Sequence, residues 1–429
     1  MSLDRTMPPS IFAMEDLNVI YPERRHLKNG IPLNVLNIGT EDVVRMDILI
    51  GAGQWHQTQS LQAMFTNRML REGTHTMTSQ QISEKLDYYG AVMELSSSVN
   101  CGFITLYSLN KYFPQTMALV ADILLHPTFP EKEMEVVLDV NKQRFLINST
   151  RVEMMARKQL NRSLFGENHP LGRFAEAEDY ERLSPEILRS FYQKYYHSGN
   201  CSIYISGKVT SSIIHCIENE LGNSSWGLVD EVKPLQMIEP QPMEGKRFHV
   251  EKEDALQSSI KLGGFVMDRL HPDFLKARVM VTLFGGYFGS RLMSNIREDK
   301  GYTYGIGAGI VTYPNISVLA VSTEAANEYA DAIITEVYKE MDILCNDLVS
   351  KEELDMVKSY MLGDWCRSYE GPFSLSDAWI YIETGGLDDQ FFVRSIDAIQ
   401  QITCAEIRDL AQKYLCKENL IEVVAGKKV

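Results

Sequence analysis

The chain of 429 residues has no CxxC pair among its seven cysteines, so neither a disulfide framework nor a thiolate zinc cluster is suggested. No stretch approaches the roughly 18 uncharged apolar residues of a membrane-spanning helix. The opening MSLDRTMPPS also lacks the basic-then-apolar order of a secretory signal. These absences point to a cytoplasmic protein whose thiols stay reduced, unless a leader has been removed. Positive charge is scarce: 42 Lys and Arg face 57 Asp and Glu, for a net charge of -15. Nucleic acid needs clustered cations and is therefore not expected as a partner, nor is a membrane. HxxxH, GxSxG and GxxxxGK[ST] patterns are missing. His56, His75, His126 and His169 each stand alone, which reads as surface or capping residues. What remains is 45% apolar and 23% charged, the usage of a folded globular protein. At roughly 150 residues per domain the length allows two to three domains.

The organising feature is an internal repeat. LSPEILRSFYQKYYHSGNCSIYISGK, residues 183–208, aligns without a gap on ITCAEIRDLAQKYLCKENLIEVVAGK, residues 402–427, at an offset of 219. Each copy opens with Ser or Thr at a helix N-cap, runs at helical period, turns at Asn and ends as an alternating strand closed by Gly. Between the copies, residues 221–246 are rich in Gly, Pro and Ser and follow neither period, as in a linker. The sequence thus divides into an N-terminal domain over 1–225, a linker over 226–246 and a homologous C-terminal domain over 247–429. In the first half, 32–36 and 43–50 read as strands and 59–71 as a helix ending at Gly73. A helix over 79–88 follows, then a strand pair over 92–99 and 102–109, then helices near 111–125, 131–146, 153–165 and 185–196. Strands in adjacent pairs and helices in runs predict an α+β fold: two homologous αβ domains, each a largely antiparallel sheet packed with helices, forming half of a clamshell.

The segment RMDILIGAGQWHQTQSLQAMFTNRMLREGT, residues 45–74, resembles the pitrilysin, or insulinase-like, family of zinc metallopeptidases. That family has a strand, a Gly-containing turn and a helix carrying HxxEH that closes with a segment like MLFKGT. MLREGT at Met69–Thr74 sets the register, and the resemblance then places the two histidines and the glutamate on Met64, Arg68 and Asn67. A thioether is a poor zinc donor, a guanidinium carries permanent positive charge, and an amide cannot take a proton from water. The family's third ligand, a glutamate on a later helix, would fall near Arg144. No metal is therefore expected in this chain, and Met64, Phe65, Met69 and Leu70 read as packing residues. FGENHPLGR, residues 165–173, and YISGKV before the linker extend the likeness over roughly residues 28–428.

The second half keeps more of the family pattern. LFGGYFGSRLMSNIREDKGYTYGIGAG, residues 283–309, is similar to the family segment that supplies an arginine and, seven residues later, a tyrosine to the peptidase site. Arg297 and Tyr304 have that spacing. RLMSNIRED reads as helix ended by Gly301, and YTYGIGAG as a strand placing Tyr302 and Tyr304 on one sheet face. Gly285 and Gly286 precede this helix and suggest a loop that lets substrate backbone approach closely. The bland alternatives are a surface ion pair for Arg297, a half-buried strand aromatic for Tyr304 and a plain turn for the glycines. The resemblance implies a half-length, non-zinc subunit lacking HxxEH. In the family, zinc and oxyanion donors face each other across a chamber and can be divided between two chains. The implied partner is a homologous HxxEH-bearing subunit that holds the zinc, and the implied substrate an extended peptide. A homodimer of the isolated chain is compatible with the same reading. The alternatives are an inert scaffold or peptide-binding homologue and, further off, a peptidase using unusual metal ligands.

Overall fold

A computed structural model describes residues 18–227 and 237–428. Residues 228–236, the middle of the expected linker, lie outside the described residues, and so does the opening MSLDRTMPPS. The first sheet contains β1 (Glu23–His26), β2 (Pro32–Asn37), β3 (Val43–Ile50), β4 (Val92–Ser97), β5 (Gly102–Leu109) and β6 (Cys201–Gly207) in the order β1-β2-β6-β3-β5-β4. The second contains β7 (Arg247–Glu251), β8 (Gln257–Val266), β9 (Thr303–Tyr313), β10 (Ile316–Ala326) and β11 (Ile421–Gly426) in the order β7-β11-β8-β10-β9. Among the described residues only β2 with β6 and β7 with β11 run parallel, and every other pairing is antiparallel. Apart from β1, the two sheets have one topology, as a duplicated sequence requires.

The first half carries helices α1 (Gln62–Met69), α2 (Ser79–Tyr89), α3 (Phe113–Leu125), α4 (Glu131–Ser149), α5 (Val152–Phe165), α6 (Ala177–Glu181), α7 (Pro185–Tyr195) and α8 (Ser211–Ile217). The second carries α9 (Phe274–Val281), α10 (Ala330–Asn346), α11 (Lys351–Ser368), α12 (Pro372–Thr384), α13 (Phe391–Gln401) and α14 (Cys404–Tyr414). The repeated segments are α7–β6 and α14–β11. Their capping is as the sequence suggests: the Ser184 hydroxyl accepts the Ile187 N–H, and the Thr403 hydroxyl accepts the Glu406 N–H while the Glu406 carboxylate accepts the Thr403 N–H at 2.9 Å. Among the described residues no helix is long and apolar enough to cross a membrane, and none of the seven cysteines forms a disulfide.

Each sheet buries one face under helices of its own half. Ile48, Ile104 and Ile203 meet Phe65, Met117 and Leu188 in the first core, and Ile260, Leu319 and Val424 meet Met280, Ile333 and Ile407 in the second. The opposite faces are covered by exchange. Helix α5 of the first half lies on β8 and β11, where Leu160 and Leu164 meet Val423 and Ala425. Helix α12, its counterpart in the repeat, lies on β2 and β6, where Trp379 joins Leu36 and Tyr204. Burial on both faces explains why β3 and β6 are buried almost from end to end, the polar Arg45, Asp47, Ser202 and Ser206 included. The contact is close enough that a Cβ on Gly263 would sit 3.1 Å from the Leu160 side chain. Ion pairs flank both exchanged helices. Arg45 on β3 reaches Asp377 of α12 at 2.6 Å, and Lys261 on β8 reaches Glu153 of α5 at 3.2 Å.

Truncating Leu160 removes first-half side-chain volume from beneath the second sheet. Leu160→Ala is expected to cost about 2–5 kcal/mol in urea unfolding and to raise amide hydrogen exchange in β8 and β11 above that in β4 and β5. Equal rises in all four strands would contradict the exchange.

Candidate functional site

Helix α1 places the three positions matched to the zinc motif. Phe65, Met69 and Leu70 are fully buried and Met64 packs at the edge of the same core. Asn67 is 1% exposed, and its amide is used at both ends. The NH2 donates to the Ser96 carbonyl at 2.5 Å and to the Phe103 carbonyl at 2.9 Å, while the amide oxygen accepts the Tyr196 hydroxyl at 3.2 Å. Asn67 thereby ties α1 to β4, β5 and the end of α7. Burial raises the Tyr196 pKa far above the ordinary phenol range, so that hydroxyl stays a donor. Arg68 extends to the carboxamide oxygen of Asn141 on α4 at 3.4 Å. The expectation for the third position is corrected here: Arg144 is exposed, and Asn141, nearly one turn earlier, faces Arg68. The set Met64, Asn67, Arg68 and Asn141 contains no imidazole, carboxylate or thiolate and does not fit zinc. Among the described residues no group of three or more His, Cys, Asp or Glu side chains could hold a metal ion. His169, read as a surface or capping residue, is instead 2% exposed, stacked on Phe165 with its Nε2 bonded to the Ile238 carbonyl.

In the second half a helical turn of wide, π-type spacing spans Met293–Asp299, and Gly301 ends it with φ of +66°, a left-handed position open to glycine at little cost. The chain reverses there into β9, and the reversal brings Arg297 and Tyr304 side by side, with the guanidinium 5.7 Å from the Tyr304 ring centre. Phe288 completes the group: the guanidinium lies 4.5 Å over its ring. Phe288 is absent from the family-based reading, although a large aromatic between Gly286 and Gly289 in a turn is a signal of an exposed, presented side chain. The ion pair of Arg297 with Glu298 is long, at 3.7 Å. Tyr304 is 93% exposed and Phe288 62%, so the bland reading of a half-buried strand aromatic is overturned. The pair opens to solvent on the surface of this chain.

The neighbouring positions divide. Tyr302 does not share the face of Tyr304, because the strand begins at Thr303 and the Tyr302 ring stacks on Tyr329 at 4.7 Å against the second core. Gly285 is not in an open loop: it sits in a π-type turn over Thr282–Gly286, buried, and a Cβ there would meet the Ala308 side chain at 2.6 Å. Its missing side chain lets that turn pack on β9. Gly286 is exposed and borders a cavity of about 850 Å³.

The fold agrees with comparison to known proteins. The family description "Insulinase (Peptidase family M16)" matches residues 35–173, and "Peptidase M16 inactive domain" matches residues 182–361. The chain belongs to peptidase family M16, the insulinase family, as a half-length member. An uncharacterised zinc protease of Bacillus subtilis, YmxG, is 23% identical over 81% of this chain and 84% of its own length. A Helicobacter pylori protein named non-peptidase homologue YmxG is 22% identical over 84% of this chain and 83% of its own length. In three dimensions a peptidase M16 inactive domain from Pseudomonas fluorescens superimposes with a TM-score of 0.83 at 21% identity, covering 96% of this chain and 99% of that one.

The Asn67 network has a pH signature. Asn67→Asp would set a carboxylate against the Ser96 and Phe103 carbonyls, raising its folded pKa above the unfolded value of about 3.9. The penalty is therefore small below the unfolded pKa and grows as pH rises through the folded one. Urea unfolding should show a deficit of about 3 kcal/mol or more at pH 7 that shrinks toward pH 4; equal deficits at the two pH values would contradict the network.

Proposed function

We propose that this chain is the non-zinc subunit of a heterodimeric zinc metallopeptidase, presenting Arg297 and Tyr304 in trans to a peptide held by a homologous HxxEH-bearing partner. The observation that carries this reading is the contrast between the halves. The α1 site is closed by hydrogen bonds of Asn67, whereas Arg297 and Tyr304 are paired, supported by Phe288 and turned outward. A phenol hydroxyl so placed can donate to the scissile carbonyl as it gains charge, and an arginine beside it can orient the peptide backbone. The zinc, on this reading, belongs to the partner chain, and the substrate is an extended peptide added to a sheet edge in the partner's chamber. Among the described residues no strand pairs with the outer edge of β9, and Gly305 and Gly309 leave it uncrowded, which supports an extended ligand. The chain acts as two homologous units, residues 1–225 and 247–429, in a cytoplasmic setting suited to free thiols.

The relative named a non-peptidase homologue favours a second reading, an inert scaffold or peptide-binding protein. The two separate by experiment. With the HxxEH partner co-purified from the native host, Tyr304→Phe is expected to lower kcat about a hundredfold, the usual cost of one oxyanion donor, with assembly intact on gel filtration. Unchanged turnover in both Tyr304→Phe and Arg297→Ala complexes would leave the scaffold.

A further inference from the structure

The cavity bordered by Gly286 lies among α9, α11, α12, α13 and the helix-facing side of β9, from which Ile310 and Thr312 line it. Its volume of about 850 Å³ falls in the range of small-ligand pockets, roughly 300–1,000 Å³. Aromatic rings form much of the wall: Trp365 stacks on Tyr369 at 4.1 Å, and Tyr369 meets Phe392 edge-on at 4.8 Å. The charges here are nearly all accounted for. Arg367 pairs with Asp364 at 2.6 Å, and Asp377 pairs with Arg45 at 2.6 Å. Arg278 is the exception: it lines the cavity, is exposed, and has no ion-pair partner among the described residues. Its field acts on the hydroxyl of Tyr369, against the burial that raises that group. In a chain of net charge -15, an uncompensated guanidinium beside stacked aromatics is a local reversal of sign.

We infer that this cavity is a binding site for a carboxylate-bearing aromatic peptide segment, with Arg278 taking the carboxylate and the Trp365, Tyr369 and Phe392 rings taking the aromatic side chain. The planar fork of a guanidinium matches a carboxylate by two parallel hydrogen bonds. Ring faces and edges accept an aromatic side chain at little entropic cost. The volume suits two or three residues, and the position of Ile310 and Thr312 lets the rest of the peptide leave along β9. This deepens the peptide-binding part of the function proposed above and does not depend on hydrolysis in trans.

The experiment is calorimetry on the full chain with three probes: Ac-Ala-Phe as free acid, Ac-Ala-Phe as C-terminal amide, and Ac-Glu-Phe amide, which carries its carboxylate on a side chain. The free acid is expected to saturate at millimolar concentration and to change Trp365 emission, assigned by the loss of that change in Trp365→Phe. Arg278→Gln should weaken the free acid about tenfold, and Arg278→Lys by less. Tyr304→Phe should leave binding unchanged. Equal binding of Ac-Glu-Phe amide would identify a side-chain carboxylate as a second source of the same chemistry. Equal binding of the Ac-Ala-Phe amide, equal affinity in Arg278→Gln, or no saturation by about 10 mM would each overturn the site. A chain that binds the free acid yet tolerates Tyr304→Phe in turnover would remove only the catalytic reading.

Discussion

The fold depends on the reciprocal loan of one helix from each half to the other. A sheet whose central strands are buried on both faces needs two covers, and each half supplies only one to its own sheet. Helix α5 completes the second sheet and helix α12 completes the first. The side chains at these contacts are among the most enclosed in the molecule: Trp379 is 1% exposed, and Ala425 and Val423 beneath α5 are fully buried. The polar groups at the exchange are matched. Asp47 lies under α12 and accepts from Arg45 and Thr105, while Glu383 of α12 accepts from the Tyr204 hydroxyl at 2.6 Å. Burial raises the pKa of Asp47 in spite of the Arg45 charge, so this pair holds position more than it contributes net stability. The burial that locks the helices together also fixes where β9 and the Arg297 turn stand.

On that frame the duplicated units have diverged in opposite directions. In the first, helix α1 is part of the core: Asn67 links it to two strands and to Tyr196, and Arg68 turns to an amide on α4. In the second, the turn at Gly301 holds an arginine between two exposed rings. A cation stacked on aromatic faces keeps its outward-pointing N–H groups free. The first half spends its polar atoms internally, and the second leaves them available.

Much of this was legible in the residues and part of it was not. The repeat was visible because N-cap, helical period, Asn turn and Gly-ended strand recur in register, and the strand pairs followed from alternation. The pairing of Arg297 with Tyr304 was suggested by the seven-residue spacing shared with the family segment, and the reversal at Gly301 is what brings the two side chains together. The exchange left no such trace: α5 and α12 each show an apolar stripe, and periodicity states that a face is buried without stating against which sheet. Arg144 was a turn too far along because a count of residues between two helices does not fix where on the second helix the contact falls; packing selected Asn141. Tyr302 was assigned by alternation, which holds only inside a strand, and β9 starts one residue later. Arg278 carried no motif, since the aromatics around it come from helices nearly a hundred residues downstream.

Helix exchange also bears on synthesis. A ribosome delivers the first half long before α12 exists, so β2 and β6 emerge with one face uncovered and stay so until residue 384 has cleared the exit tunnel. During that interval the nascent chain is a half-clad sheet, a natural client for chaperones that shield apolar surface. Closure requires contacts more than 300 residues apart, such as Arg45 with Asp377, and pairings so distant in sequence carry a loop-closure cost that makes them late in folding.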